Sequence, residues 1–136
     1  MSEPTYESLL EPVRAIARAA GEAILAVYNR SFSVSLKDDR SPLTEADRAA
    51  HDLIAERLAA LRPRLPLLSE EGGAIPYATR RAWQRYWLVD PLDGTKEFIQ
   101  RNGEFTVNIA LIDRGRAALG VVLAPALDLE YSACGP

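Results

Sequence analysis

The spacing of apolar residues changes character near residue 65, and this change restricts the fold more than any other feature of the chain. Before it, apolar residues recur every three or four positions. Leu9, Val13, Ile16, Ala17, Ala20, Ile24 and Val27 mark one face of a helix predicted over residues 5–29, with Glu11, Arg14, Arg18 and Glu22 on its other sides. Pro12 either kinks this helix or marks a later start. Gly21 lies inside it, where glycine costs about 1 kcal/mol relative to alanine, so close packing against another element is expected there. A second helix is predicted over residues 44–61. Thr44 is its N-cap, Asp47 occupies its third position as a capping-box-like partner, and Leu53, Ile54, Leu58 and Leu61 form its buried stripe. Pro63 and Pro66 end it. Between the helices, residues 33–36 alternate as a short strand and residues 37–42 form a polar loop.

After residue 65 the apolar residues run together in short blocks. Strands are predicted over residues 65–69, 86–89, 106–112, 118–124 and from 129 to 133, with a polar turn at residues 113–116. Two helices followed by strands with hairpin-like turns predict an α+β fold, with the helices packed on a mainly antiparallel sheet. At 136 residues and 48% hydrophobic content, one domain can bury a core without a disulfide. The single cysteine, Cys134, has no partner for an intramolecular disulfide, which fits a reducing compartment. The net charge of −3 argues against a protein that coats nucleic acid. The first twelve residues carry three glutamates and no basic residue, unlike a secretory signal, and no apolar run approaches the roughly 20 residues of a membrane span. The expected location is the cytoplasm, with peripheral attachment to the cytoplasmic face of the inner membrane left open.

The chemistry lies in carboxylates placed where apolar runs stop. Glu70 and Glu71 follow Leu67-Leu68-Ser69. Asp90 follows Trp87-Leu88-Val89, and Asp93 comes three residues later. A carboxylate at the end of a buried strand is costly unless paired or bound to a cation. Two acidic clusters without histidine or cysteine partners suit an all-oxygen site for a hard cation such as Mg²⁺. In Asp90-Pro91-Leu92-Asp93-Gly94-Thr95, proline stiffens the turn and glycine permits left-handed backbone. Residues 96–100 could begin a short helix, whose first amides, at Gly94, Thr95 and Lys96, would face an anion. Carboxylates for metal beside free amides for phosphate is the combination a phosphomonoesterase needs.

The segments SPLTEADRAAH, LLSEEG and WLVDPLDGTKEFIQRNGEFTVNIALI resemble the lithium-sensitive, Mg²⁺-dependent phosphatases of the inositol monophosphatase superfamily. DGTKEF, in place of DGTxNF, is most similar to the bacterial 3'(2'),5'-bisphosphate nucleotidases of the CysQ type. The resemblance covers nearly the whole chain. It implies the sugar-phosphatase-like N-terminal domain of a layered α/β sandwich. It implies that Glu70, Asp90, Asp93 and the Leu92 carbonyl hold two or three Mg²⁺ ions, with Asp90 bridging two of them and Li⁺ inhibiting. It further implies that Asp93, Gly94 and Thr95 bind the substrate phosphate. Asp47 and the Thr95 hydroxyl orient and deprotonate a metal-activated water, and Glu71 assists a weaker metal or its water. The implied reaction removes the 3'-phosphate of adenosine 3',5'-bisphosphate, giving AMP and phosphate and clearing a by-product of sulfate assimilation. An inositol or sugar phosphatase is the alternative within the superfamily.

The chain also departs from that pattern. A WDxAA-like segment, which supplies a further aspartate ligand in the family, is not found in residues 96–136, and neither Asp113 nor Asp128 sits in such a motif. A truncated chain is expected: residues 1–136 as the metal- and phosphate-binding N-terminal domain, with the C-terminal domain absent and activity weak or missing. An inactive binding fragment, associating through an uncovered sheet face, is the competing reading from another class. The expected partner is a small nucleotide or sugar phosphate rather than nucleic acid, and a homodimer is left open. His51 is read as a surface or helix-packing residue, Trp83 and Trp87 as packing residues, and Arg80, Arg81 and Arg85 as a solvated basic loop.

Overall fold

A computed structural model describes residues 5–30 and 40–135. Helix α1 spans Tyr6–Arg30, and all seven apolar residues of its predicted stripe are buried. The helix runs through Pro12 without a break. Proline removes one backbone donor there, early enough that most of the helical ladder lies beyond it. Helix α2 spans Arg40–Ala59 and so begins four residues before the predicted start. Thr44 and Asp47 therefore lie inside the helix, and the expected capping pair does not form. The reason is visible in Ala46 and Ala50, both fully buried. They carry the stripe of Ile54 and Leu58 two turns towards the N-terminus, and residues this small leave little apolar signal. The predicted loop over residues 37–42 is helical from Arg40 onwards, while the predicted strand at residues 33–36 lies outside the described residues. At the other end, the Ala60 and Leu61 amides donate to the Arg57 and Leu58 carbonyls, tightening the last turn beyond Ala59.

Five strands form one sheet in chain order: β1 (Leu67–Ser69), β2 (Arg85–Asp93), β3 (Thr106–Asp113), β4 (Arg116–Ala124) and β5 (Leu129–Cys134). β1 runs parallel to β2, and every later pair is antiparallel. The α+β expectation of a mainly antiparallel sheet holds. Alternation along the strands sends Trp87, Val89, Val107, Ile109, Leu111, Leu119, Val121 and Leu123 to one buried face. Helix α1 lies over β3, β4 and β5, and α2 lies over β2. The other face leaves Leu88, Val122, Leu129 and Tyr131 exposed. Arg114 and Gly115 link β3 to β4 with φ of 52° and 79°, the positive pair that a two-residue hairpin requires.

Two polar ties fix α1 on the sheet. Arg14 and Arg18 both reach Glu130 on β5, at 2.6 and 3.2 Å. The Tyr6 hydroxyl donates to the Asp113 carboxylate at the end of β3. Among the described residues, no helix is long and apolar enough to cross a membrane.

Gly21 explains itself at the crossing of α1 with the β4–β5 turn. A Cβ there would sit 2.9 Å from Pro125 Cβ and 3.0 Å from Leu123 Cδ2. Neither neighbour belongs to the loose end of a flexible polar side chain, so overpacking at about 1–3 kcal/mol outweighs the roughly 1 kcal/mol that alanine gains in helix propensity. Gly21→Ala is expected to lower the free energy of urea unfolding by about 1–2 kcal/mol. A stabilised variant would show that α1 can slide away from the turn.

Candidate active site

The acidic residues meet where β1 and β2 end. β1 and β2 run side by side with Ser69 opposite Val89, so the residues that follow, Glu70 and Asp90, start out from adjacent places. Glu70 and Glu71 lie in a single 3₁₀ turn, Glu70–Gly72, which sequence periodicity does not foresee. It closes at Gly73, whose φ of 86° favours glycine.

β2 does not end at residue 89 as predicted but continues to Asp93. Its register against β3 shifts on the way: Asp90 pairs with Asn108, and Asp93 pairs with Thr106. Three steps on β2 thus match two on β3, which is a β-bulge. Pro91, fully buried, lacks the N–H that a regular ladder would use, and the bulge accommodates it. The consequence is chemical. In a regular strand, residues three apart face opposite sides of the sheet. The extra residue brings Asp90 and Asp93 to one side, beside each other and away from the buried Val107.

Helix α2 delivers Asp47 to the same place. Burial raises its carboxyl from the ordinary 3.8 to about 7, and the neighbouring charges of Glu71, Asp90 and Glu70 add to that rise. Burial likewise raises Asp90 to about 6, helped by Glu70, Asp93 and Glu71 and opposed by a hydrogen bond from the Leu92 backbone. The structure therefore brings Asp47, Glu70, Glu71, Asp90 and Asp93 into one electrostatic cluster. Leu92 itself is 2% exposed, which leaves its main chain rather than its side chain to serve any ligand.

Helix α4 spans Thr95–Gln100 directly after Asp93; a shorter helix, α3, lies earlier at Tyr77–Arg80. Gly94 caps α4 in the left-handed conformation at φ 96°, and its carbonyl accepts from the Phe98 amide at 2.9 Å. A Cβ on Gly94 would lie 3.2 Å from Phe105 Cα. Both the backbone angle and the close approach call for glycine. The first amides of α4 follow Asp93 in the chain and so lie next to the acidic cluster. What holds α4 there was not foreseen. Tyr28, Phe98 and Phe105 pack as three rings with centroids 5.0–5.3 Å apart, joining α1, α4 and the lead into β3. Arg101 covers the Tyr28 ring at 4.9 Å and donates to the Tyr28 carbonyl at 3.0 Å. The spacing Phe98-x₆-Phe105 was the available signal, but it follows no helix or strand period.

The donor set suits a hard divalent cation such as Mg²⁺. It is all oxygen, the charges around Asp47 and Asp90 raise the pKa of these two, and one buried oxygen, Asp90 Oδ1, has no hydrogen-bond partner. Among the described residues, no three His, Cys, Asp or Glu side chains converge closely enough to hold an ion by themselves. An ion here would be shared among few side chains, the Leu92 carbonyl, water and substrate oxygens, as Mg²⁺ tolerates.

Trp83, Trp87, Arg80 and Arg81 stand away from this chemistry. Trp87 is core, and Trp83 packs against Tyr86 with rings 5.8 Å apart. Arg80 covers the exposed Tyr77 ring, and Arg81 is exposed. His51, read from sequence as a surface or helix-packing residue, places Nδ1 3.0 Å from the Ser69 hydroxyl.

The raised carboxyls carry a sign. A folded state that holds protons more tightly than the unfolded chain is favoured at low pH. This contribution is complete below about pH 4 and is lost as the pH rises through about 6 and 7. The melting temperature of the metal-free chain is therefore expected to fall between pH 5 and pH 8. Asp47→Asn is expected to shrink that fall by raising the midpoint at pH 8. A midpoint independent of pH over this range would contradict the burial of these groups.

Comparison with known proteins agrees with the geometry. The profile of the inositol monophosphatase family matches residues 5–135. The chain is 56% identical over 127 residues to the 3'(2'),5'-bisphosphate nucleotidase CysQ of Escherichia coli strain K12, covering 92% of this chain and 51% of that protein. It is 42% identical over 127 residues to the protein of the same name from Haemophilus influenzae, covering 93% and 47%. Among solved structures, CysQ from Bacteroides thetaiotaomicron superposes with a TM-score of 0.78 at 48% identity, covering 88% of this chain and 43% of that one. The extragenic suppressor protein SuhB from Bartonella henselae superposes at 0.73 and 32% identity, covering 91% and 48%. The chain spans about half the length of the curated relatives it matches.

Proposed function

Because the chain belongs to the inositol monophosphatase family, we propose that its acidic site hydrolyses a phosphomonoester, and that the ester is the 3'-phosphate of adenosine 3',5'-bisphosphate. The observation that supports this most is the bulge in β2. It sets Asp90 and Asp93 side by side and runs straight into the amides at the start of α4. Cation donors and anion donors thus share one stretch of backbone. The nucleotide preference rests on the relatives, several of which carry the name 3'(2'),5'-bisphosphate nucleotidase.

Glu70, Asp90, Asp93 and the Leu92 carbonyl would hold Mg²⁺, which when bound offsets their charge, polarises the phosphate and stabilises the leaving oxygen. The chain's own groups do the rest. The amides of Gly94, Thr95 and Lys96 orient the phosphate oxygens, and the missing Cβ of Gly94 lets the start of α4 sit close against Phe105. The Thr95 hydroxyl, exposed at the first position of α4, can hold the attacking water by a hydrogen bond. Asp47, whose carboxyl burial raises above the ordinary carboxylate range, is suited to take its proton. Glu71 supplies the strongest of the neighbouring charges that raise Asp47, so it tunes this base.

The decisive assay measures phosphate release with Mg²⁺ from adenosine 3',5'-bisphosphate and from inositol 1-phosphate, on the gene product that carries this chain. Preference for the bisphosphate and inhibition by Li⁺ are expected. Equal or faster release from the inositol ester would overturn the nucleotide assignment and leave an inositol or sugar phosphatase. Asp90→Asn and Asp93→Asn are each expected to abolish Mg²⁺-dependent release. Thr95→Ala is expected to lower kcat by about 10²-fold or more while leaving KM within a few-fold, because its hydroxyl serves the attacking water rather than ground-state binding. A change in KM alone would remove Thr95 from that role.

A further inference from the structure

Among the described residues, Ser69 is the buried polar side chain of the core, at 6% exposure, and it immediately precedes Glu70. Its register partner is Val89, whose side chain faces the helices, so the Ser69 hydroxyl faces them too. There it meets His51 Nδ1 of α2 at 3.0 Å, a hydrogen bond whose direction is set by the ring tautomer. The same ring lies over the following turn: its Cε1 is 3.5 Å from where a Cβ on Gly72 would stand. On α2, His51 comes one turn after Asp47 and so shares its face. We infer that His51 is a positioning residue, which through Ser69 fixes the Glu70–Gly72 turn against α2 beside Asp47.

The need for such a tie follows from the topology. β1 has three residues and, among the described residues, has a neighbouring strand on one side only. A strand this short offers few ladder bonds to set the place of the turn it feeds. Glu70 is exposed, and its carboxylate gains nothing from core packing. Its position depends on the backbone just before it, which the His51–Ser69 bond joins to a long, well-buried helix. The bond thus acts on a ligand through the residue before it, and loss of partners that orient a ligand costs about 10–100-fold in metal affinity. The inference rests on the reading of the acidic cluster as a cation site.

Mn²⁺ binding to the chain, followed by loss of the free-ion electron paramagnetic resonance signal well below the melting temperature, separates the two claims. Asp90→Asn tests the site itself; if it binds Mn²⁺ like the native chain, the cation reading fails and this inference with it. If Asp90→Asn abolishes binding, the second series decides. His51→Ala, His51→Leu and Ser69→Ala are each expected to weaken Mn²⁺ binding at least tenfold. The double variant His51→Ala/Ser69→Ala is expected to be no weaker than the worse single one, because both remove one bond. His51→Asn, which keeps a hydrogen-bonding atom near the Nδ1 position, is expected to stay within about threefold of native. Should His51→Ala fail to fold, the comparison of His51→Leu with His51→Asn carries the test. Native-like binding by His51→Leu would show that the ring merely fills space, and would overturn the inference while the site reading stands.

Discussion

Carboxylates that repel one another are held together at the ends of β1 and β2, and much of the structure is explained by what that costs. Asp47 and Asp90 are lifted to about 7 and 6, first by burial and then by their neighbours' charges. Left to local forces, these groups would separate and seek water. They stay because each is attached to an element that cannot move without opening the core. Asp90 follows Val89 and Trp87, both nearly inaccessible. Asp47 follows Ala46, which is buried against the rest of the domain. Hydrophobic burial over the whole sheet thus maintains an unfavourable arrangement at one corner, as functional sites commonly require.

The site is accordingly divided among distant stretches of chain. α2 brings Asp47, the turn after β1 brings two glutamates, and the bulged end of β2 brings two aspartates. α4 brings the amides. The aromatic trio of Tyr28, Phe98 and Phe105 ties the last of these to α1, some seventy residues away in sequence. A residue can therefore matter to this site without touching it, and the geometry of the amides depends on ring packing as much as on Gly94.

Much of the fold is legible in the residues themselves. The stripe of α1 reads cleanly because five of its seven members are large and recur at three- and four-residue steps. The strands after residue 65 read cleanly because β-branched and leucine residues alternate with smaller ones. The start of α2 does not, because Ala46 and Ala50 bury their stripe without large side chains. The end of β2 does not either. Asp-Pro-x-Asp-Gly is the composition of a turn, and only pairing with β3 keeps it in the sheet. His51 reads as a packing residue because one histidine on a helix carries no period, and its partner lies eighteen residues on.

The sequence by itself determined the chemistry: which carboxylates stand at the ends of apolar runs, which glycine precedes the amides of α4, and that the core is helices on a sheet. These are local properties, set by residue type and by spacing along the chain. The tertiary structure alone decided that Asp90 and Asp93 face the same way, that Asp47 sits deep enough to hold a proton near neutral pH, and that His51 meets Ser69. Each of these is a relation between elements, set by strand register, burial and helix placement, and a one-residue difference in register would have reversed the first of them.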